Sequence, residues 1–291
     1  MRRGIGCGYI AANIKHAHTL LIARKDGRDQ MVHDCADTAP EACAGRLAIG
    51  SLDILCLKRE AAIGLIRSAI SRGLKTDIAI CNAHTLVTAF EDPDYAQTLN
   101  KMVLLNDGIG ADLAARFLHG TRFPENLNGT DLIPALLEEI GLPLRIYLLG
   151  AAPAALAEAR AAIGERFPDH RIVGSCDGYF SSTESDRICA EISALRPDLL
   201  LVAMGNPKQE RFIVQNRPFL DATVTIGVGA LFDFLSGKAV RAPGWMRIWG
   251  LEWLFRLSRE PRRLFGRYVI GIPKFFFHIA RLKRAQRRRT R

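Results

Sequence analysis

The 291-residue chain lacks most of the short signatures by which a function is commonly assigned. Its seven cysteines include no CxxC pair, and its seven histidines are not clustered with them at metal-ligand spacing, so a zinc site is not expected. No Walker lysine loop and no GxGxxG fingerprint occurs, which removes the main support for an NTPase or a dinucleotide oxidoreductase. Neither a metal nor an organic cofactor is expected. No uninterrupted run of about 18 apolar residues exists, which argues against a spanning helix. The opening after Arg2 and Arg3 has no sustained apolar core before a small-residue cleavage site, and it does not read as a signal peptide. An odd number of cysteines (Cys7, Cys35, Cys43, Cys56, Cys81, Cys176, Cys189), mostly inside apolar runs, reads as reduced cytosolic thiols.

What is present is unevenly distributed. Residues 1–45 mix histidine, lysine and aspartate without a period and read as an N-terminal extension with no assigned function. From Lys238 onward fall 16 of the Lys/Arg but only two acids, Glu252 and Glu260; the tail is +14 and, with +10 overall, the rest is −4. Such a tail suits an anionic surface. Its aromatic and aliphatic residues, Trp245 to Leu257 and Val269 to Ile279, alternate with the basic ones, the composition of helices lying in a bilayer interface. The competing reading packs the Trp245 to Leu257 part on the core, whereas Arg281 to Arg291 reads as a solvated run touching anionic lipid.

Between residues 46 and 237 apolar strands alternate with helices of about ten residues or more, the pattern of a mostly parallel sheet covered on both faces. Ligands of such sheets bind beyond the carboxyl ends of the strands. The polar and glycine residues collect in those loops: Asn82 after TDIAIC, Asp107 after KMVLLN, Gly150 after LRIYLL, Gly205 to Glu210 after DLLLVAM, and Gly227 to Asp233. Glycine lets backbone N–H groups approach an anion and the following helix N-terminus adds positive partial charge, so a phosphate-bearing ligand is expected.

The ordered set NDGIG, FPENLNGTDL, GNPKQE and the RAPGW…GLEWLFRLSREPRRLFGRY tail, from about Arg46 to Tyr268, resembles the WecG/TagA/CpsF glycosyltransferase family. The resemblance implies an α/β fold: a mostly parallel Rossmann-like sheet with helices on both faces (46–237), plus a basic amphipathic helical C-terminal appendage (238–291) associating with the membrane. It implies inverting, metal-independent transfer from a UDP-sugar donor to a polyprenyl-diphosphate-linked saccharide at the cytoplasmic face of the plasma membrane. It also implies Asp107 as the general base, Gln209 in the donor site, Asn82 as the binding-site asparagine of the family's TxN motif, and Arg256, Arg263 and Arg267 reaching the diphosphate. Asn126, Asp131, Gly150, Gly205, Lys208 and Glu210 complete the expected binding set. Two positions depart from the family pattern: Ile80 stands where a threonine is usual, and Asn126 where many members have arginine.

Each assignment has a plainer alternative. Asp107 before a glycine could be a turn residue or an N-cap, and Gln209 and Glu210 could merely populate the first turn of a helix. Asp177, Asp131 and Asp233 read as caps or turn formers, and His84 as a structural or solvated histidine. Two other functions compete: a nucleic-acid-binding protein using the basic tail, weakened by the lack of a recognition motif, and a catalytically inactive nucleotide-sugar-binding paralogue. Nucleic acid is not the expected partner; self-association through the core surface under the tail is a further expectation.

Overall fold

Runs rich in Val, Ile and Leu, bounded by polar or glycine residues, set the strands. In the computed structural model, which describes residues 45–289 except 245, 247, 248 and 250 and the side chains of 182, 263 and 289, they form β1 (Arg46–Ile49), β2 (Leu52–Leu55), β3 (Thr76–Cys81), β4 (Val103–Asn106), β5 (Arg145–Gly150), β6 (Arg171–Cys176), β7 (Leu199–Ala203) and β8 (Val224–Gly227). Apart from Gly45, the N-terminal extension read from the sequence lies outside the described residues. The strands make one eight-stranded sheet in the order β1-β2-β4-β3-β8-β7-β5-β6. Only β1 and β2 pair antiparallel; every other neighbouring pair is parallel. The stretch LAIGSLDIL folds as a hairpin, because Gly50 takes a left-handed φ of +69°.

The helices that follow in the chain are α1 (Arg59–Ser71), α2 (Ala83–Glu91), α3 (Pro93–Leu99), α4 (Gly108–His119), α5 (Gly129–Glu139), α6 (Pro153–Arg166), α7 (Ser185–Leu195), α8 (Lys208–Asn216) and α9 (Leu231–Leu235). The C-terminal segment adds α10 (Glu252–Arg259), α11 (Pro261–Phe265), a π-helical turn Gly266–Ile270, and α12 (Gly271–Arg289). Successive strand residues point to opposite faces, and both faces are apolar. Ile78, Ile146, Leu148, Leu199 and Leu201 join a core with α1, α5, α6 and α9, whereas Ala79, Cys81, Tyr147, Leu149, Leu200 and Val202 join one with α2, α3, α4, α7, α8 and α12.

The last helix sits differently from the reading that laid its whole apolar stripe in a bilayer. Phe275 and Ile279 are each only 3 % exposed and, with Leu282, form an i, i+4, i+7 seam in the second of those cores. Lys274 pairs with Glu91 at 2.9 Å, and Lys283 Nζ donates to the Leu118 carbonyl at 2.8 Å, fixing the helix against α2 and α4. Phe276 and Phe277 remain exposed, as do Arg281, Arg284, Arg287 and Arg288.

Cysteine needs one correction. Cys81, Cys176 and Cys189 are free thiols, but Cys56 is disulfide-bonded. Its backbone N–H donates to the Gly45 carbonyl at 3.1 Å. Burial pushes the Cys81 thiol up, and the Cys189 thiol to about 11, which leaves both unreactive.

The two neighbouring phenylalanines of α12 separate docking from exposure. Phe275→Ala is expected to cost about 3 kcal/mol in chemical denaturation, as for a buried aromatic, and Phe277→Ala no more than about 0.5 kcal/mol. Equal effects would contradict the packing described.

Candidate active site

The parallel register of β3 and β4 sets Cys81 beside Asn106, and the two chains then leave the sheet together. The Asp107 N–H donates to the Cys81 carbonyl at 2.9 Å, extending the ladder by one bond. Asn82 and Asp107 thus emerge side by side, and Asn82 Nδ2 donates to Asp107 Oδ2 at 3.4 Å. The other end of Asn82 caps α2: its Oδ1 accepts the His84 N–H at 3.0 Å and the Thr85 N–H at 3.2 Å, and Thr85 Oγ1 returns the bond to the Asn82 N–H. A side chain held at one end by two amides presents the other to Asp107 in a fixed direction.

Asp107 stands at the N-cap position of α4, yet its carboxylate makes no capping hydrogen bond. The plain N-cap reading fails there. Gly108 follows at φ +73°, and its N–H is taken by Asn126 Oδ1 at 2.7 Å. Asn126 therefore anchors the loop that carries Asp107. Ile80, the other departure, packs its Cδ1 where a Cβ on Gly129 would come within 3.3 Å, so it contributes an apolar patch of wall between β3 and α5.

A cavity of about 1920 Å³ opens above these residues, beyond the carboxyl ends of the four central strands β4, β3, β8 and β7. Asn82, Asp107, Asn126, Gly205, Lys208, Gln209, Arg256 and Arg267 all line it. On the β7–β8 side, Gly205 has φ +74° and Gly229 φ +58°, but the N–H of each is already bonded to Gln209 Oε1, at 3.2 and 3.1 Å. The Gly205 amide, read from the sequence as open to an anion, is occupied. Lys208 Nζ donates to the Gly178 carbonyl at 2.8 Å and lies 5.4 Å from the Phe180 ring centroid. Gly150 is not in the lining; at φ +127° its Cα faces the Ala203 carbonyl, which a Cβ would meet at 2.3 Å, so its role is close packing of β5 against β7.

The roof is the C-terminal segment. One stripe of α10, with Glu252, Trp253, Arg256 and Arg259, faces the cavity, so this part neither packs in the core nor lies free. Arg256 stacks 5.2 Å from the Phe234 ring, and Trp253 lies 5.8 Å from Tyr268. Burial pushes the Asp107 carboxyl above the usual carboxylate range; the Asn82 bond and the Arg267 and Arg256 charges pull it down, and Glu252 pushes it further up. Burial and the nearby Arg267 hold His84, which also lines the cavity, down to about 4, so its imidazole is neutral at neutral pH.

Other expected residues lie elsewhere. Asp131 is off the cavity, in a bidentate pair with Arg241 at 2.6 and 3.0 Å. Glu210 is buried beneath the floor, and the Arg263 side chain lies outside the described residues. Asp177 forms a turn, accepting the Tyr179 N–H at 2.9 Å. Sequence reasoning passed over Asp112, Arg116 and Arg122 in the cavity wall, and Glu252 in its roof. The i, i+4 spacing of Asp112 and Arg116 on the helix after Asp107 was the available signal. Among the described residues no group of three or more His, Cys, Asp or Glu is arranged to hold a metal ion.

A mostly parallel sheet with a carboxylate-bearing cleft beyond the carboxyl ends of its central strands, under a basic helical roof, defines an α/β protein that binds its ligand at that edge. Residues 47–289 match the Glycosyl transferase WecG/TagA/CpsF family, and the chain belongs to it: it is a glycosyltransferase. The match takes in the whole roof and α12, beyond the stretch ending at Tyr268 that the motifs alone indicated. The N-acetylglucosaminyldiphosphoundecaprenol N-acetyl-beta-D-mannosaminyltransferase of Bacillus subtilis (strain 168) is 32 % identical over 215 residues, 73 % of this chain and 81 % of that protein. The enzyme of the same name from Bacillus spizizenii is 31 % identical over 210 residues, 72 % of this chain and 80 % of that protein.

The charges around Asp107 set an expected pH profile. If Asp107 must be ionised to act, activity falls as pH drops through its raised pKa, and the acid limb of kcat/KM lies above the ordinary carboxylate range. Arg267→Gln removes a cation that lowers this pKa and should move the limb to higher pH, whereas Glu252→Gln should move it to lower pH. A limb that stays put in both variants would detach it from Asp107.

Proposed function

We propose that the enzyme moves a sugar from a UDP-sugar to an undecaprenyl-diphosphate-linked acceptor, with inversion at the anomeric carbon and Asp107 as the general base. The observation that carries this reading is a non-capping carboxylate, held by Asn82 at 3.4 Å, on the floor of a large cavity roofed by Arg256 and Arg267. The acceptor hydroxyl oxygen attacks the anomeric carbon as its proton passes to Asp107, and the bond to the UDP oxygen breaks with its electron pair leaving on the diphosphate. A carboxylate with a raised pKa is suited to take that proton near neutral pH. Growing negative charge on the diphosphate is met by Arg256, Arg267 and helix N-termini. The relatives' names suggest an N-acetylglucosaminyl-diphosphoundecaprenol acceptor and an N-acetylmannosaminyl unit; an N-acetylhexosamine, glucosyl or glucuronosyl donor is compatible with the same cleft.

The outer face of α12 is the proposed contact with the inner leaflet. Phe277, Arg281, Arg284 and Arg288 lie along one exposed stripe opposite the packed Phe275 and Ile279, and together they suit an anionic headgroup layer. None of the described helices is long and apolar enough to cross a membrane. A competing nucleic-acid role has less support, since no nucleic-acid recognition motif accompanies the basic segment and two of its arginines, Arg256 and Arg267, line the cavity.

Asp107→Asn is expected to lower kcat by at least about 10²-fold while UDP binding, followed by calorimetry, stays close to wild type. An unchanged kcat would remove Asp107 as the base. Reversing Arg281, Arg284 and Arg288 to Glu should cost about 1 kcal/mol or more per site of binding to phosphatidylserine-containing vesicles, roughly 10²-fold overall, without unfolding the protein. Undiminished co-sedimentation would rule out this face as the contact.

A further inference from the structure

The loops that leave β7 and β8 are tied together by one side chain. Gln209 is 1 % exposed, and its Oε1 accepts both the Gly205 N–H at 3.2 Å and the Gly229 N–H at 3.1 Å. An amide oxygen has two acceptor sites, and here both are filled from the protein. Its Nε2 donates to Glu210 Oε1 at 2.7 Å. Glu210, 0 % exposed, is gripped from the other side: Asn206 Nδ2 donates to Oε1 at 2.6 Å and the Tyr95 hydroxyl to Oε2 at 3.1 Å. Tyr95 comes from α3, and the same helix is held to α8 by the ion pair of its N-cap Asp92 with Arg211. The last residue of β8 fits this arrangement: a Cβ on Gly227 would meet Gln209 Nε2 at 2.8 Å and Glu210 Oε1 at 3.3 Å, so a side chain there would displace the pair.

We propose that Gln209 and Glu210 are positioning residues, not substrate contacts: Gln209 fixes the separation of the Gly205 and Gly229 loops, and Glu210 anchors Gln209. The inference rests on the reading that these loops wall the nucleotide side of the cavity. It departs from the expectation that Gln209 itself meets the donor. Five hydrogen bonds form one network from α3 to the loop after β8, and the step that reaches the ligand is the spacing of two backbone segments.

Amide hydrogen exchange and UDP affinity, measured side by side, test it. In Gln209→Ala, and in Gly227→Ala, which removes no polar group, the Gly205 and Gly229 amides should exchange at least about tenfold faster while β5 is unchanged, and the Kd for UDP should rise at least about tenfold. Glu210→Gln keeps an oxygen for Gln209 and Asn206 and offers its NH2 to the Tyr95 oxygen, so it should keep both readouts within about twofold of wild type. Wild-type exchange in Gln209→Ala overturns the proposal, and with weakened UDP binding it would make Gln209 a direct contact. If the wild-type protein does not bind UDP, the donor reading fails, and the exchange comparison still decides the role of the pair. Should Gly227→Ala not fold, Gln209→Ala carries the same comparison alone.

Discussion

The hydrogen bond from the Asp107 amide to the Cys81 carbonyl, 2.9 Å long, is the constraint on which the site depends. It prolongs the parallel pairing of β3 and β4 past the last strand residues, so that two chain segments 25 residues apart in sequence leave the sheet in register. Everything polar on that side follows from it. Asn82 can cap α2 with its oxygen and reach Asp107 with its nitrogen only because the two backbones are still one strand spacing apart. A slip of one residue would turn Asp107 to the opposite face and set Asn106 or Gly108 in its place, leaving no carboxylate there.

The opposite wall is built by a different device. Beyond β7 and β8 the backbone turns through glycines at positive φ, which frees the chain geometrically but leaves its N–H groups to be satisfied. Gln209 answers that need from below, and its own nitrogen must then be answered by a buried carboxylate. The cost is visible in Glu210, whose carboxyl burial pushes above its usual range against four stabilising hydrogen bonds. A polar network fully satisfied in a low-dielectric setting specifies one loop arrangement, where a merely apolar floor would permit several. The two walls thus differ in origin: one is an extension of sheet hydrogen bonding, the other a side-chain graft onto turns.

Much of this was legible in the chain. Continuous apolar runs such as TDIAIC and DLLLVA cannot be half-solvated, so the parallel sheet and the placement of Asn82, Asp107 and Gly205 at strand ends followed from period and from the rule on carboxyl edges. Asp107 was chosen with the help of a family pattern, and its failure to cap is something only coordinates display. The parts missed have physical reasons. The hairpin at Gly50 looks like a single strand because the turn interrupts the apolar run with just two residues, Gly50 and Ser51. Short α3, opened by Asp92 and Pro93, carries Tyr95 into the network, but seven residues are too few to show a helical stripe. Asp131 and Glu210 are acids whose partners, Arg241 and Tyr95, lie 110 and 115 residues away, and no local pattern announces a long-range pair.

The C-terminal segment joins these themes. Read as composition, it is one basic and oily tail; in three dimensions it divides its residues by helical phase. Phe275 and Ile279 bury against α2 and α4, the helices whose first turns hold Asn82 and Asp107, while α10 turns Glu252, Arg256 and Arg259 toward the cavity. The roof and the floor are therefore braced by the same two helices. Because Arg267, Glu252 and Arg256 all act on the carboxyl of Asp107, the placement of the roof adjusts a proton affinity that burial raises. A basic segment that docks through an apolar seam on one side and keeps arginines exposed on the other places the outer surface and the cleft on the same packed helices.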